Sequence, residues 1–435
     1  MYYTRIKESI KKVMVIENVL LIAVQTEDMN QERFHYSLNE LRALARTVGA
    51  EVADVITQNR KKPHQAYYVG EGKLDEIYEQ VTKHAIDIVI ANQELSGGQL
   101  RNLQDTLGVR VIDRSQLILD IFAKRARTKE GKLQVELAQY AYMLPRLHGQ
   151  GEALSRLGGG IGTRGPGETK LETDRRHIQN RMDDIKKRLK TVANQREQYR
   201  GNRRKQQAFQ IAIVGYTNAG KSTLFNGLTK SDSLYEDKLF ATLDPLTRKV
   251  HLPSGLEVIV TDTVGFIQDL PTPLIAAFRS TLEEVNEADL IVHVIDANAP
   301  NIEDHQQTVQ DLLEELDADK IPLLTLYNKR DLVTEQHFIP EQHPYLLISA
   351  NDPSDINEVK HKIEAMMKEQ WKPYSCFIPE EESYRLRDFQ TAALVTEEEY
   401  NAIKQGYQLT VYANHQHPIM KLVKEYYERD DRRNS

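Results

Sequence analysis

The sequence has 435 residues, enough for about three domains that each bury a hydrophobic core. Its 57 Lys and Arg residues against 64 Asp and Glu residues give a formal net charge of −7. Its composition, 40% hydrophobic and 28% charged, is typical of a globular protein and not of a disordered, collagen-like or membrane protein. The apolar runs fall far short of the roughly 18 residues of a membrane-spanning helix, and a single cysteine, Cys376, excludes an internal disulfide framework and fits a reducing compartment.

Residues 1–130 alternate short apolar runs with helical patterns. Strands are predicted at Val19–Val24, Val52–Ile56, Ile86–Ala91 and Val109–Ile112, and helices at Leu38–Val48, Leu74–His84 and Gln99–Leu107. This alternation predicts an N-terminal α/β domain with a mostly parallel sheet. Glu17 and Asn18 interrupt the apolar stretch that begins at Val13, so we expect a buried strand there and not a signal peptide. The glycine turn VGEGK at 69–73 is too weak a signal to place a nucleotide site.

Residues 131–205 are predicted to form a helical hairpin. Two apolar stripes recur at helical spacing, the first made of Leu133, Leu137, Tyr140, Leu144 and Leu147, the second of Leu171, Ile178, Met182, Ile185, Leu189 and Val192. Thr169 and Glu172 have the spacing of a capping box and predict a second helix over 168–205. Between the stripes, residues 149–167 contain 8 of the 22 glycines.

This part of the chain is strongly basic. Residues 124–205 contain 21 Lys and Arg against 9 Asp and Glu, a net charge of +12, which leaves −19 for the remainder. A solvated face on a long helix is one interpretation, and a basic projection that meets RNA phosphates is the other. The glycines favour the second, because they let a backbone approach a surface closely. The candidate RNA contacts are Arg156, Gly158, Gly159, Gly160, Arg164, Gly165, Lys186 and Lys187.

Residues 206–370 contain the motifs with the clearest chemistry. A predicted strand, Phe209–Val214, leads into GYTNAGKS at 215–222 and then into a helix, the context that G-x-x-x-x-G-K-[ST] requires. Backbone amides of such a loop point at phosphate oxygens, Lys221 would neutralise the β- and γ-phosphates, and Ser222 would bind Mg²⁺. The predicted phosphate-binding residues are Gly215, Tyr216, Thr217, Asn218, Ala219, Gly220, Lys221, Ser222 and Thr223. A single motif still leaves a chance match open.

A second strand, Val258–Thr261, leads into DTVG at 262–265. Asp262 would hold Mg²⁺ through water, and the Gly265 amide would meet the γ-phosphate, with Thr263 and Val264 between them. In the segment FATLDP at 240–245, Thr242 would close over Mg²⁺ when the γ-phosphate is present. Lys221, Thr242 and Gly265 are therefore the candidate catalytic residues.

A third strand, Leu323–Tyr327, ends in NKRD at 328–331. A buried Asp331 carboxylate would accept hydrogen bonds from the N1–H and 2-amino groups of guanine, and adenine would leave it unpaired. Asn328 would brace the loop, and Lys329 would pack on the base. After the strand Leu346–Ile348, the residues Ser349, Ala350 and Asn351 would bring the Ala350 amide to the guanine O6. Four elements in this order predict GTP binding.

Two positions bear on hydrolysis. Phe266 stands where many GTPases carry a glutamine that orients the attacking water, so either intrinsic hydrolysis is slow or a partner supplies the missing group. Asn218 has two interpretations that stay open: a ligand of a monovalent cation such as K⁺ beside the phosphates, or a polar residue that stabilises the loop.

Residues 371–435 predict a small C-terminal α/β domain with a strand at Gln408–Ala413. His415 and His417 are expected to be surface histidines and not metal ligands, and the isolated His305 receives the same interpretation. Cys376 has no identifiable activating neighbour, and we expect it to be inert.

The set GYTNAGKS, FATLDP, DTVGF, NKRD and SAN, preceded by LGGGIGTRGPGETKLETDRR, resembles the HflX family of translational GTPases over nearly the whole chain. The resemblance implies an N-terminal α/β domain with a helical hairpin, a central Ras-like P-loop GTPase domain and a small C-terminal domain. It also implies a hydrophobic residue at the position of Phe266 and hydrolysis stimulated by the ribosome. An RNA-unwinding activity that uses ATP has been attributed to the N-terminal region of some members, but no ATP motif is present there.

For partners, the resemblance implies binding to the large ribosomal subunit, with the N-terminal region reaching toward the peptidyl-transferase centre. Members split stalled or hibernating whole ribosomes into subunits under stress. We therefore expect a cytoplasmic protein that is monomeric off the ribosome, with GTP or GDP and Mg²⁺ bound and no membrane partner. One rival is a GTPase for ribosome assembly or transfer-RNA modification. The other is a switch that binds only proteins, against which the +12 segment argues.

Overall fold

The computed structural model contains parallel and antiparallel sheets with helices packed on them. The described chain divides into two compact units, one within Met1–Leu189 and one within Lys190–Gln268 and Phe278–Ser435. Among the described residues, no helix is long and apolar enough to cross a membrane. The structure describes residues 17–149, 170–206, 208–229, 240, 245–266, 285–299, 301–333, 340, 342–415 and 417–434.

The first unit contains a parallel sheet with the strand order β2-β1-β3-β4. Its strands are β1 (Asn18–Gln25), β2 (Glu51–Asn59), β3 (Ile88–Ala91) and β4 (Arg110–Asp113). The central strand β1 is buried on both faces, which explains its unbroken apolar run VLLIAV. The four predicted strands and their parallel arrangement are confirmed, with boundaries that differ by three residues or fewer.

Helices connect these strands. They are α1 (Gln31–Thr47), α2 (Glu71–Lys83), α3 (Gly97–Leu107) and α4 (Arg114–Arg125). The Asn30 side chain caps α1, and Ser96 with Gln99 forms a capping box at α3. The core between helices and sheet includes Leu20, Ile77 and Leu103. The three predicted helices are confirmed, and α1 begins seven residues earlier than its apolar pattern indicated.

Two helices follow, α5 (Lys129–Met143) and α6 (Lys170–Gln206), and an Arg181–Glu136 ion pair of 3.1 Å joins them. The predicted stripe on α6 is confirmed at its centre, where Ile178, Met182 and Ile185 are buried. The predicted stripe on α5 is wrong in detail. The buried apolar residues of α5 are Val135, Ala138 and Tyr142, whereas Leu133, Leu137 and Tyr140 are only half-buried.

The C-terminal end of that first stripe is also not α-helical. Leu144 and Leu147 lie in a 3₁₀ segment, Leu144–Gly149. Pro145 lacks an amide hydrogen and disfavours a continued α-helix, which explains why α5 ends at Met143. The division of the chain at 130, 205 and 370 stays a prediction.

The second unit contains a six-stranded sheet with the order β10-β9-β8-β5-β7-β6, parallel except for the edge strand β6. Its strands are β5 (Gln210–Gly215), β6 (Leu246–His251), β7 (Glu257–Asp262), β8 (Leu290–Asp296), β9 (Leu323–Asn328) and β10 (Tyr345–Leu347). The helices described here are α7 (Lys221–Thr229), α8 (Ile302–Glu315) and α9 (Pro353–Gln370). Because β5, β7, β8 and β9 are parallel, the loops at their carboxyl ends meet at one edge of the sheet.

The end of the chain forms a three-stranded antiparallel sheet with the order β11-β13-β12. Its elements are β11 (Lys372–Pro379), α10 (Leu386–Ala392), β12 (Leu394–Asn401), β13 (Gly406–Ala413) and α11 (Met420–Asn434). The predicted strand is confirmed as part of β13. Cys376 is fully buried. Leu394 and Trp371 pack against the core of the six-stranded sheet. The Trp371 ring meets the Phe209 ring edge-on, with 5.7 Å between the ring centroids. The predicted mixed α/β fold class is thereby confirmed.

Candidate nucleotide-binding site

The loop between β5 and α7 passes very close to its neighbours. A Cβ atom on Gly215 would lie 2.2 Å from the Val294 carbonyl oxygen, and one on Gly220 would lie 2.1 Å from Asn328 Nδ2. The φ angles of these glycines, +148° and +97°, are also ones that other residues rarely adopt. Asn218 has a φ of +63°, which asparagine tolerates better than most residues. The glycine spacing that predicted a phosphate-binding loop is therefore explained by the packing of this loop.

Lys221 begins α7 and is 6% exposed. Its ammonium group donates a hydrogen bond to the Tyr216 carbonyl oxygen at 2.7 Å, which holds the side chain across the loop. Burial lowers the pKa of Lys221 to about 8, and the nearby Asp262 carboxylate opposes that shift. The group is therefore still largely protonated at neutral pH, and an anionic ligand would restore a higher pKa.

Ser222 and Asp262 form the pair that fits a magnesium ion. The Ser222 hydroxyl donates to Asp262 Oδ2 at 2.9 Å, and Asp262 is fully buried at the end of β7. Hydroxyl and carboxylate oxygens suit Mg²⁺, which typically takes one or two protein ligands beside nucleotide phosphates. Within the described parts of the chain, no three or more His, Cys, Asp or Glu side chains form a cluster that could hold a metal. Thr242, the third predicted magnesium ligand, lies outside the described residues.

The residues after Asp262 return to the phosphate loop. Thr263 Oγ1 donates to the Ile213 carbonyl at 2.7 Å. The Phe266 amide donates to the Gly215 carbonyl at 3.1 Å, and the Thr217 amide donates to the Phe266 carbonyl at 2.6 Å. A Cβ atom on Gly265 would lie 2.8 Å from Thr217 Cγ2 and 3.0 Å from Lys221 Nζ. Gly265, Thr217 and Lys221 are therefore brought together.

The Phe266 side chain is part of the hydrophobic core. It is 4% exposed and packs in one cluster with Ala212, Val214, Val309 and Leu313, from the sheet and from α8. A phenyl ring in this position neither donates nor accepts a hydrogen bond to water. The position of the usual water-orienting glutamine is thus occupied by an apolar group that stabilises the fold.

Asn328 connects three loops at the other end of the site. Its Nδ2 donates to the Ala219 carbonyl and its Oδ1 accepts from the Ala350 amide, both at 2.8 Å. Ala219 and Ala350 are buried, so neither backbone group has access to water as an alternative partner. These two hydrogen bonds join the three loops, and the role of Asn328 in nucleotide binding stays a prediction.

Lys329 and Asp331 follow Asn328. Lys329 has a φ of +66°, and its ammonium group pairs with Asp296 Oδ2 at 2.6 Å. Asp331 Oδ1 accepts from the Ser349 hydroxyl at 2.8 Å, and the Ser349 amide donates to Asp355 at 2.6 Å. Asp331 is exposed and not buried as expected, because it lies in the short 3₁₀ segment Arg330–Leu332, in which no residue is buried.

The structure places the described members of the predicted nucleotide-binding set around this one edge of the sheet. Besides the residues above, that set contains Thr223 on the first turn of α7, Val264 after β7, and Asn351 after Ala350. The structure adds a contact that the motifs did not predict.

His305 contacts the phosphate loop. It is 6% exposed on α8, and its ring stacks on that of Tyr216 with centroids 3.9 Å apart. Burial lowers the pKa of His305 to about 4, while Asp296 and Asp304 oppose the shift. The expectation that His305 lies at the surface was wrong. A lone histidine carries no sequence signal for a contact made across the fold.

The candidate RNA contacts are described only in part. Lys186 and Lys187 are exposed on α6. Arg156, Gly158, Gly159, Gly160, Arg164 and Gly165 lie outside the described residues.

Three family models match the chain. They are described as GTP-binding GTPase N-terminal at residues 35–123, GTP-binding GTPase Middle Region at 125–203, and 50S ribosome-binding GTPase at 210–329. A crystal structure of a GTP-binding protein from Sulfolobus solfataricus with GDP is 22% identical, with a TM-score of 0.45, and the match covers 81% of this chain and 98% of that chain.

Curated relatives match over most of their length. The GTPase HflX of Alkalihalophilus pseudofirmus is 50% identical over 410 residues, which are 94% of this chain and 97% of the relative. The GTPase HflX of Caldanaerobacter subterraneus is 48% identical over 386 residues, 88% of this chain and 89% of the relative. The chain therefore belongs to the HflX family of GTPases.

Proposed function

We propose that this GTPase binds the large ribosomal subunit and splits stalled or hibernating ribosomes under stress, with GTP hydrolysis as the switch. The observation that carries the proposal is a guanine-nucleotide site in the same chain as a segment of net charge +12. A cationic segment binds RNA phosphates by releasing their counterions. The match of residues 210–329 to a family described as 50S ribosome-binding GTPases supports the same partner.

The phosphate end of the site supplies positive groups where the transition state carries negative charge. The loop 215–220 offers backbone amides, and the buried Lys221 ammonium lies against both this loop and Gly265. Ser222 and Asp262 would hold Mg²⁺, with Thr242 added in the GTP state. When bound, Mg²⁺ would neutralise charge on the β- and γ-phosphate oxygens.

The base end selects guanine. Asp331 is held by the Ser349 hydroxyl with one carboxylate oxygen, so its carboxylate is oriented before a nucleotide arrives. Asn328 holds the Ala350 amide in place for the guanine O6. Lys329 is positioned by Asp296 to cover one face of the base. We propose the exposed Asp331 carboxylate as the group that distinguishes guanine from adenine.

The switch follows from contacts that only GTP can make. The Gly265 amide and Thr242 would contact the γ-phosphate and stabilise the arrangement that binds the ribosome, and hydrolysis would remove these contacts. In the bound state, the helical hairpin would present the glycine-rich loop and Lys186 and Lys187 to ribosomal RNA near the peptidyl-transferase centre. We further propose that the protein is cytoplasmic, monomeric off the ribosome, and able to bind K⁺ at Asn218.

Sedimentation of whole ribosomes tests the proposal. Ribosomes are incubated with the protein and GTP, a non-hydrolysable analogue or GDP, and separated subunits are quantified. We expect separated subunits with GTP and the analogue but not with GDP, and GTP hydrolysis faster with ribosomes than without. Subunit binding without separation would refute splitting and favour a role in ribosome assembly.

Two variants identify which part of the chain acts. Lys221→Ala should abolish GTP-dependent association with ribosomes, and unchanged co-sedimentation would contradict the switch. Deletion of 157–167 should leave GTP binding intact but abolish splitting, so a deletion variant that still splits ribosomes would exclude a role for this loop. Nucleotide affinity is measured for each variant to separate loss of the site from loss of the ribosome contact.

A further inference from the structure

The hydroxyl group of Thr217 is buried in the phosphate loop without a hydrogen-bond partner among the described residues. The residue is 7% exposed, and Oγ1 itself is buried. Leaving a buried hydroxyl unpaired is unfavourable, and native proteins usually avoid it. Valine has nearly the same shape as threonine and would avoid this penalty. The hydroxyl therefore needs an explanation beyond packing.

The surroundings of Thr217 point to the γ-phosphate end of the site. Its methyl carbon lies against Gly265, the residue whose amide would meet the γ-phosphate. Its amide donates to the Phe266 carbonyl at 2.6 Å, which holds the Thr217 backbone in place. Lys221 Nζ approaches the same Gly265. Thr217 thus lies next to the place where the reacting group of GTP would lie.

The neighbouring Phe266 cannot orient the water molecule that hydrolysis requires. Its side chain is packed in the core with Val214 and Val309 and offers nothing to orient a water molecule. Hydrolysis nevertheless needs a water molecule held in line with the bond that breaks. A hydroxyl can accept a hydrogen bond from that water, as the carboxamide of glutamine does elsewhere.

We propose that the Thr217 hydroxyl is a catalytic group that accepts a hydrogen bond from the attacking water in the GTP-bound state. The water oxygen forms a bond to the γ-phosphorus while the bond to the β–γ bridging oxygen breaks. The products are GDP and inorganic phosphate, and the water proton ends on the phosphate. Thr217 is unchanged by the reaction and acts by orientation.

The test compares Thr217→Val, which removes the hydroxyl at constant shape, with Thr217→Ser, which keeps it. Single-turnover GTP hydrolysis is measured with the full-length protein in excess, alone and with ribosomes. We expect Thr217→Val to slow hydrolysis by about 10- to 100-fold in both conditions, the size typical of losing one orienting or proton-handling group. Thr217→Ser should hydrolyse GTP within about three-fold of the wild-type rate, because its hydroxyl remains.

Stability and affinity distinguish catalysis from a structural role. Thr217→Val should melt at the same temperature as the wild type or higher, since it removes an unpaired hydroxyl, and should bind GDP and a non-hydrolysable GTP analogue normally. Thr325→Val is the matched control, because the buried Thr325 hydroxyl donates to Gln342 Oε1 at 3.1 Å. That control should melt at a lower temperature and hydrolyse GTP at the wild-type rate.

Three results would overturn the proposal. The first is a wild-type hydrolysis rate for Thr217→Val. The second is a fall in the affinity of Thr217→Val for the GTP analogue that is as large as its fall in hydrolysis rate, which would show that the hydroxyl contributes to nucleotide binding. The third is a melting temperature of Thr217→Val as low as that of the Thr325→Val control, which would show that the Thr217 hydroxyl stabilises the folded protein.

Discussion

The rings of His305 and Tyr216 stack nearly parallel, with an angle of 12° between their planes and 3.9 Å between their centroids. Tyr216 is the second residue of the phosphate loop, and its carbonyl oxygen holds the Lys221 ammonium group. His305 lies on α8, between Asp304 and Gln306. The stack therefore connects the helix that follows β8 to the backbone that positions the lysine.

The pH dependence of stability should report the burial of His305. Its pKa falls from 6.5 to about 4 on folding, so between these values the unfolded chain binds the proton more strongly. The free energy of unfolding should therefore fall as the pH is lowered from about 6.5 to 4, by up to about 3 kcal/mol for this group, and stay flat above.

His305→Phe tests this assignment by keeping an aromatic ring without a titrating group. Urea denaturation at several pH values should give a smaller slope between about pH 6.5 and 4 than in the wild type. Part of the slope should persist, because burial and the Lys221 charge also lower the pKa of His293, to about 3. An unchanged slope would show that His305 is not the group that titrates.

Phe266→Gln should not produce a faster GTPase. The glutamine side chain would enter a cluster that contains Val214, Val309 and Leu313, so we expect a loss of stability of about 2–4 kcal/mol. Urea denaturation and single-turnover hydrolysis check the two halves of this prediction. Phe266→Leu serves as the apolar control and should keep most of the stability. A stable Phe266→Gln variant with a higher rate would contradict the buried position of this side chain.

Asn328→Ala should weaken binding of GDP and GTP alike. It removes both 2.8 Å hydrogen bonds and leaves the Ala219 carbonyl and the Ala350 amide unpaired. At about 1–3 kcal/mol for an unsatisfied buried group, we expect an affinity loss of about 10- to 100-fold in nucleotide titrations. Asn286→Ala is the control, because Asn286 donates to the Leu316 carbonyl at 2.7 Å. It should lower stability but not affinity, and equal effects on affinity would contradict the bracing role.

Asp296→Asn should weaken guanine-nucleotide binding only modestly. The Lys329–Asp296 pair is 2.6 Å long, but each side chain remains about a quarter exposed, so the Coulomb attraction is screened. We expect an affinity loss of about three- to ten-fold at low salt and a smaller difference at high salt. Asp304→Asn is the control and should bind normally. A loss that is independent of salt would indicate that Asp296 acts through its hydrogen bond to the Asn298 amide instead.

Local patterns predicted the elements whose causes are local. The β1 strand is an unbroken apolar run, and the phosphate loop has a spacing that only glycines at 215 and 220 permit, so both could be read from the sequence. The buried face of α5 could not be predicted from the sequence. Leu133 and Val135 are both apolar, and which of them is buried depends on the elements that pack against the helix.

The contacts that complete the site are likewise made across the fold. Asp296 and Lys329 are separated by 33 residues, and Tyr216 and His305 by 89, so no spacing rule connects them. The unpaired hydroxyl of Thr217 is also invisible in the sequence, because satisfaction of a polar group depends on its three-dimensional neighbours.

Leu394 and Trp371 pack into the core of the six-stranded sheet although both lie beyond the end of α9. A GTP-binding fragment that ends at Gln370 would lack these two side chains. The hydrophobic surface that they bury would then be exposed, which favours aggregation. Heating should accordingly melt the nucleotide-binding part and the C-terminal strands together, and bound GDP should protect even the last three strands from proteases.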